Sequence, residues 1–235
     1  MASNFSGPLL ELSANGRAYF RNMPLGNDPD YVHEMIDFLL ADDYDTTDWT
    51  QTLVDGGSDA AQSVATQAGV KNGTLKILNN DADDDSLNLQ RKVESYKIES
   101  GKKLWFETLL NVSDADAVDL FVGLAITDTT ALDASDRLGF RITDGDASIT
   151  SQSTKDSTTT QKDTEIDASD SVNVKLGMYY DGASTVEFYV DRVLKCSHTT
   201  NIPDDEELCL TINLTNGAAA AKSAIIDYIH IVKER

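Results

Sequence analysis

Cysteine is nearly absent from this 235-residue chain: Cys196 and Cys209 are the only two. Two cysteines make neither a disulfide framework nor a zinc cage, so both are expected to be free thiols filling space in strands. They would face each other only if residues 193–198 and 207–214 paired around "NIPDDE". No apolar run approaches the roughly 20 residues that cross a bilayer, which argues against membrane insertion. The opening "MASNFSGPLLELSANG" lacks the basic start and apolar block of a secretory leader. The Asn-x-Ser/Thr matches at Asn4, Asn72, Asn111 and Asn213 are therefore expected to be chance occurrences. Basic residues are also scarce, 19 against 40 acidic ones, for a formal net charge of -21. Such a chain repels phosphate backbones, so nucleic acid is excluded as a partner. Aromatic residues are 7% of the chain, too few for a large stacking platform. Gly56-Gly57 is followed by no Lys-Ser/Thr, so it is not a phosphate loop. No Gly-x-Ser-x-Gly elbow is present, and His33, His198 and His230 lie in unrelated contexts.

What is there divides in two. Residues 1–46 are irregular, with the strand-like "RAYFRN" and then "DPDYVHEMIDFLLADD". Asp28 can cap a helix and Pro29 fits its first turn. Tyr31, Val32, Met35, Ile36, Leu39 and Leu40 fall at helical spacing. The spacing predicts a short helix, and Tyr31, Met35, Ile36 and Leu39 form its apolar anchoring stripe. A helix of about 12 residues is marginal alone, so the stripe must be buried on its own chain or on a partner.

From residue 47 to 235 the text becomes strands, eleven apolar segments separated by turn signals. Val118, Leu120, Val122, Leu124 and Ile126 share one face; so do Val172, Val174, Leu176, Met178 and Tyr180, and Leu208, Leu210, Ile212 and Leu214. A period of two puts each set on the buried side of a half-exposed sheet. "AIIDYIHIV" is apolar on both faces, with Ile225, Ile229 and Ile231 opposite Ile226, Tyr228 and Val232. Trp105 and Leu109 likewise lie opposite Leu104, Phe106 and Leu110. These strands predict a cover on both sides. The fold expected is all-β: an antiparallel two-sheet β-sandwich with an irregular N-terminal arm and one short helix.

The stretch "MYYDGASTVEFYVDRV", residues 178–193, carries two hairpins in succession. Gly182 supplies the positive φ of the first turn. This Tyr-Asp-Gly…Val-x-Phe-Tyr-Val-Asp meander resembles that of concanavalin A-like (laminin-G, jelly-roll lectin-like) sandwiches. The closing "IIDYIHIVKE" resembles the family's last strand. The family usually has Asp-Gly at the second turn, where this chain has Asp191-Arg192. An Arg at positive φ costs on the order of 1 kcal/mol, so a different turn type is expected there.

The irregular arm, the missing leader, the acidic sandwich and the Thr/Ser/Asp-rich loops resemble capsid decoration proteins of tailed phages. That resemblance implies a non-enzymatic virion structural protein on the capsid surface, made in the host cytoplasm. It implies anchoring through the N-terminal segment on the major capsid protein or other virion subunits, and a homo-oligomer, trimeric by family analogy. The alternative from another class is a carbohydrate-binding adhesion module for cell-surface glycans. Tyr179 and Tyr189, outward on the hairpin, and Trp49 are its candidate glycan or partner contacts. Calcium is the one cofactor left open: "NNDADDDS" offers Asp81, Asp83 and Asp85 as ligands, without EF-hand spacing. The same fold hosts retaining glycosidases whose catalytic strand reads Glu-x-Asp-x-(x)-Glu. "EIDASD", with Glu165, Asp167 and Asp170, comes nearest to it, but its flanks are polar and loop-like, so no catalytic residue is assigned.

Overall fold

Strands with one apolar face need a second layer to bury it against, and here two sheets bury theirs against each other. The computed structural model describes residues 29–40, 43–54, 62–67 and 69–235. Its strands are numbered along the chain. The first sheet runs β14 (Val193–His198), β13 (Val186–Val190), β12 (Val174–Tyr180), β7 (Leu104–Val112), β16 (Ser223–Glu234), β4 (Leu75–Leu78), β3 (Ser63–Thr66), with β1 (Tyr31–Ile36) also on β16. The second runs β11 (Thr158–Asp167), β10 (Asp146–Lys155), β9 (Arg137–Thr143), β8 (Val118–Ala125), β15 (Glu207–Asn216), β5 (Ser86–Arg91), β2 (Trp49–Val54), with β6 (Tyr96–Lys97) on β15. Neighbours pair antiparallel throughout, as in β7 with β16 and β8 with β15. The expected antiparallel two-sheet sandwich is what the chain forms.

Between the sheets, Phe106, Leu176, Met178, Phe188, Ile229 and Ile231 meet Leu120, Val122, Leu138, Phe140, Leu210 and Ile212. Phe140 and Phe188 join the layers edge to face, with ring centres 5.4 Å apart. Of the expected inward positions Val172 fails: it precedes β12 and is 57% exposed.

The helix expected around residues 31–40 is instead β1, and the anchoring stripe is corrected with it. Tyr31–Ile36 pairs residue for residue with Glu234–Ile229 of β16. An isolated helix of this length gains little by itself, whereas pairing along the terminal strand satisfies backbone groups and drives Ile36 into the core. At period two the four stripe residues separate. Tyr31 and Met35 share one face and Ile36 takes the other, while Leu39 lies beyond the strand and is 59% exposed. Phe38, at φ +53, turns the chain inward. It needs a glycine opposite it: a Cβ on Gly73 would lie 2.4 Å from the Phe38 carbonyl oxygen.

The two-sided strand β16 is explained by a bulge. Its pairing with β7 slips between Ile226 and Tyr228, so the core face reads Ala224, Ile226, Ile229, Ile231 rather than a single odd-numbered set. A bulge adds one residue and reverses which side the following alternation faces. Outside, Val232 joins Trp105, Tyr179 and Tyr189, with Tyr31 of β1 against them.

Both hairpin turns are tight. At the first, Gly182 has φ +78, and Asp181 Oδ1 accepts the N–H groups of Ala183, Ser184 and Thr185 at 2.8, 3.0 and 3.0 Å. Removing that acceptor in Asp181→Ala is expected to lower stability by about 1–2 kcal/mol, read as a shift in the urea midpoint; an unchanged midpoint would show that the turn holds without it. At the second turn the expectation of a different turn type is corrected: Asp191 and Arg192 take φ +48 and +64. The reason lies in what the arginine reaches, described below.

Candidate binding face

Alternation that fills the core with apolar side chains fixes what the outer faces carry. On the second sheet, the printed pairings align Thr52, Asn88, Asn213, Phe121, Arg141, Thr150 and Asp163 in one row across seven strands. The neighbouring row reads Thr50, Gln90, Thr211, Gly123, Gly139, Gln152, Gln161. The facing glycines let β8 and β9 close up, since a Cβ on either would lie 2.3 Å from a carbonyl oxygen of the other strand.

Residues 126–136 fold back over part of this face. Gln90 Nε2 donates to Ile126 O, and Asn88 Nδ2 to Asp128 O, at 3.0 and 2.8 Å; Leu132 and Ala134 cover Phe121. Beside this wall Asn213, Thr211 and Gln152 are buried as well, while Arg141 and Asp119 are partly exposed. Arg141 Nη2 and Asp119 Oδ1 pair at 3.0 Å, each side chain 22% exposed. Ser86, Asn213 and Thr215 share a hydroxyl–amide cluster. Two buried polar atoms in the long row have no partner among the described residues: Oδ1 of Asn88 and Nε of Arg141. A buried acceptor or donor left unmade costs about 1–3 kcal/mol. The two residues stand three strands apart, roughly 14 Å at strand spacing. The groups within reach of solvent are the Arg141 guanidinium and the Asp119 carboxylate, held in place by the buried amides beside them and able to bond hydroxyls.

The residues singled out from the sequence go elsewhere. Tyr179 and Tyr189 do face outward, on the first sheet, but they are buried with Trp105 rather than displayed; Trp105 and Tyr179 ring centres are 5.5 Å apart. Next to them Glu107, only 4% exposed in its side chain, accepts Tyr228 Oη at 2.6 Å and Arg192 Nε and Nη2 at 3.1 and 3.3 Å. Burial, and then the bond to Glu107, push the Tyr228 phenol up. Trp49 is no stacking platform either: it is buried, with the Arg91 guanidinium 5.1 Å from its ring centre.

Of the candidate calcium ligands, Asp81 and Asp83 are exposed while Asp85 is buried and accepts the Ala82 N–H at 3.0 Å, stapling its own loop. Among the described residues no three acidic, His or Cys side chains are placed to hold a metal ion. Glu165 and Asp167 are exposed on β11 at the edge of the second sheet, with Glu165 at φ +60. Asp170 accepts the Ala115 N–H. The three acids therefore line no common wall. Both cysteines are free, and β14 and β15 lie in opposite sheets, so the pairing that would bring them together does not form. Asn88, Asp119, Arg141 and Asn213 went unnoticed in the sequence because they occupy the polar half of the alternation. The available signal was chemical: amide and guanidinium groups recurring at outward positions of central strands.

No protein-family model and no curated protein sequence matches the chain. Solved structures do. An endo-1,3-β-glucanase from Streptomyces sioyaensis matches 89% of this chain and 99% of its own at TM-score 0.62 and 12% identity. A non-specific endo-β-1,3(4)-glucanase from family GH16 matches 90% and 94% at TM-score 0.62 and 12% identity. A protein of unknown function from Shewanella oneidensis matches 97% of each chain at TM-score 0.58 and 16% identity. These likenesses establish the concanavalin A-like jelly-roll fold. They also correct the expectation of a non-enzymatic protein, since the sandwich is a scaffold that endo-glucanases use. They give the virion role no support.

Proposed function

We propose that this sandwich is a carbohydrate-binding domain that holds a glycan along the outer face of its second sheet, beside residues 126–136. The observation that carries the reading is the partly exposed Asp119–Arg141 pair, whose guanidinium keeps Nε without a partner among the described residues. The Asp119–Arg141 pair offers a carboxylate and a guanidinium for adjacent hydroxyls. The likeness to glucanases supports β-glucans as the first glycans to try.

Isothermal titration with β-1,3- and β-1,3(4)-glucan oligosaccharides tests it, and a reducing-end assay on the same mixtures reports any cleavage. Binding is expected, and Arg141→Ala is expected to weaken it at least tenfold, about 1.4 kcal/mol. Silence across glucans and a wider glycan array, or binding unchanged in Arg141→Ala, would remove the reading.

A further inference from the structure

A second site lies at the end of the sandwich, on the other side of β5 from the polar face. Arg91 is in register with the inward residues Leu87 and Leu89, whereas Asn88 and Gln90 point out. There a cavity of about 280 Å³ is lined by Glu34, Thr47, Asp48, Arg91, Lys92, Val93, Ser95 and Tyr96. Its walls come from β1, the turn before β2, the end of β5 and β6, and internal bonds fix them. Glu34 accepts Arg91 on one oxygen and the Tyr96 hydroxyl on the other. Arg91 Nη1 also meets Asp48 at 3.2 Å, and its plane is held near the Trp49 ring. Lys92 Nζ bonds the Thr46 carbonyl at 2.7 Å.

Three properties define what fits. Arg91 and Lys92 balance Glu34 and Asp48, so the cavity carries no formal excess charge and selects against a strongly ionic ligand. Its lining mixes carboxylate acceptors, an ammonium donor and the hydroxyls of Thr47 and Ser95, with exposed Val93 as an apolar surface at the rim. Its volume sits at the low edge of the roughly 300–1,000 Å³ of small-molecule pockets, room for one ring rather than a chain. We propose that this cavity is a separate saccharide site that takes a single neutral, hydroxyl-rich ring, such as the terminal pyranose of a glycan. The equatorial hydroxyls bond the Glu34 carboxylate and the Lys92 ammonium, and the C–H face of the ring lies on Val93.

The full chain, ¹⁵N-labelled and titrated with free glucose, galactose and mannose, tests this by amide shifts. Saturable shifts are expected at Arg91, Ser95 and Tyr96 for at least one hexose. Ser95→Trp, which places a large side chain at an exposed position on the mouth, is expected to weaken that titration at least tenfold. Lys92→Ala, also at an exposed position, should weaken it severalfold while the rest of the spectrum stays native. Shifts confined to Asp119, Arg141 and their neighbours, no saturable shift with any hexose, or variants that titrate like the parent would overturn the proposal. The shift map also separates it from the polar-face reading, which fails or stands on Arg141.

Discussion

Arg192→Gly is expected to destabilise the protein by about 2–4 kcal/mol, although the turn alone predicts the opposite sign. Arg192 sits at φ +64, where a residue with a Cβ costs on the order of 1 kcal/mol and glycine is at ease. Relief of that strain should stabilise. But the strained turn is what aims the guanidinium across the outer face of the first sheet onto Glu107, 85 residues earlier in the chain. Glu107 is almost wholly buried, and without Arg192 it keeps only the Tyr228 hydroxyl among these partners. Breaking a buried ion pair by removing one partner costs about 3–5 kcal/mol, because the remaining charge is uncompensated. That loss outweighs the relief. Urea unfolding of the parent, Arg192→Gly and the double variant Arg192→Gly/Glu107→Gln decides it. The double variant carries no buried charge and should recover part of the loss. If Arg192→Gly is neutral or more stable, the pair contributes nothing and the turn is strained for no structural return.

That pair also marks the limit of what local pattern reveals. The alternating sets on β8, β12 and β15 were legible because a period of two has one interpretation when a face must be buried, and their inward residues are the core. Tyr31–Ile36 was not, because six residues with apolar side chains at the first, second, fifth and sixth places satisfy both a helical and a strand period. What decides between them is β16, about 200 residues away. The bulge at Asp227 was invisible for a similar reason: sequence shows both faces of β16 apolar but not where the count slips. The proposed binding face was half legible. Its scaffold followed from alternation. Its chemistry depends on which outward amides remain unpaired once residues 126–136 have folded over the sheet, and that is a property of three-dimensional hydrogen bonding.

The same dependence on distant partners governs His198, and here it sets a pH response. From β14, His198 points between the sheets and is fully buried, with its ring centre 4.7 Å from that of Phe188. Its Nε2 meets Ser151 Oγ at 2.9 Å and its Nδ1 meets Ser153 Oγ at 2.8 Å, both from β10 in the opposite sheet. Ser153 Oγ also reaches the Thr200 carbonyl at 3.0 Å and Ser151 Oγ the Lys162 carbonyl at 3.1 Å, so a neutral ring donates to one serine and accepts from the other. A neutral imidazole thus bridges the two layers at the side of the sandwich where β14 meets β10 and β11. Burial first, and the Lys162 ammonium second, lower its pKa from 6.5 to about 4. The unfolded chain therefore takes up the proton before the folded one does. The stabilisation is complete above pH 6.5 and is lost as pH falls from 6.5 to about 4. By linkage it amounts to about 3 kcal/mol over that window. His198→Gln removes the titration but keeps a side chain able to bond both serines. Unfolding free energies at pH 7, 6, 5 and 4 should show the parent losing about 3 kcal/mol more than the variant, because the titrating carboxylates and the other two histidines are common to both and cancel in the difference. A difference that stays constant with pH would mean that His198 is not held neutral between the sheets.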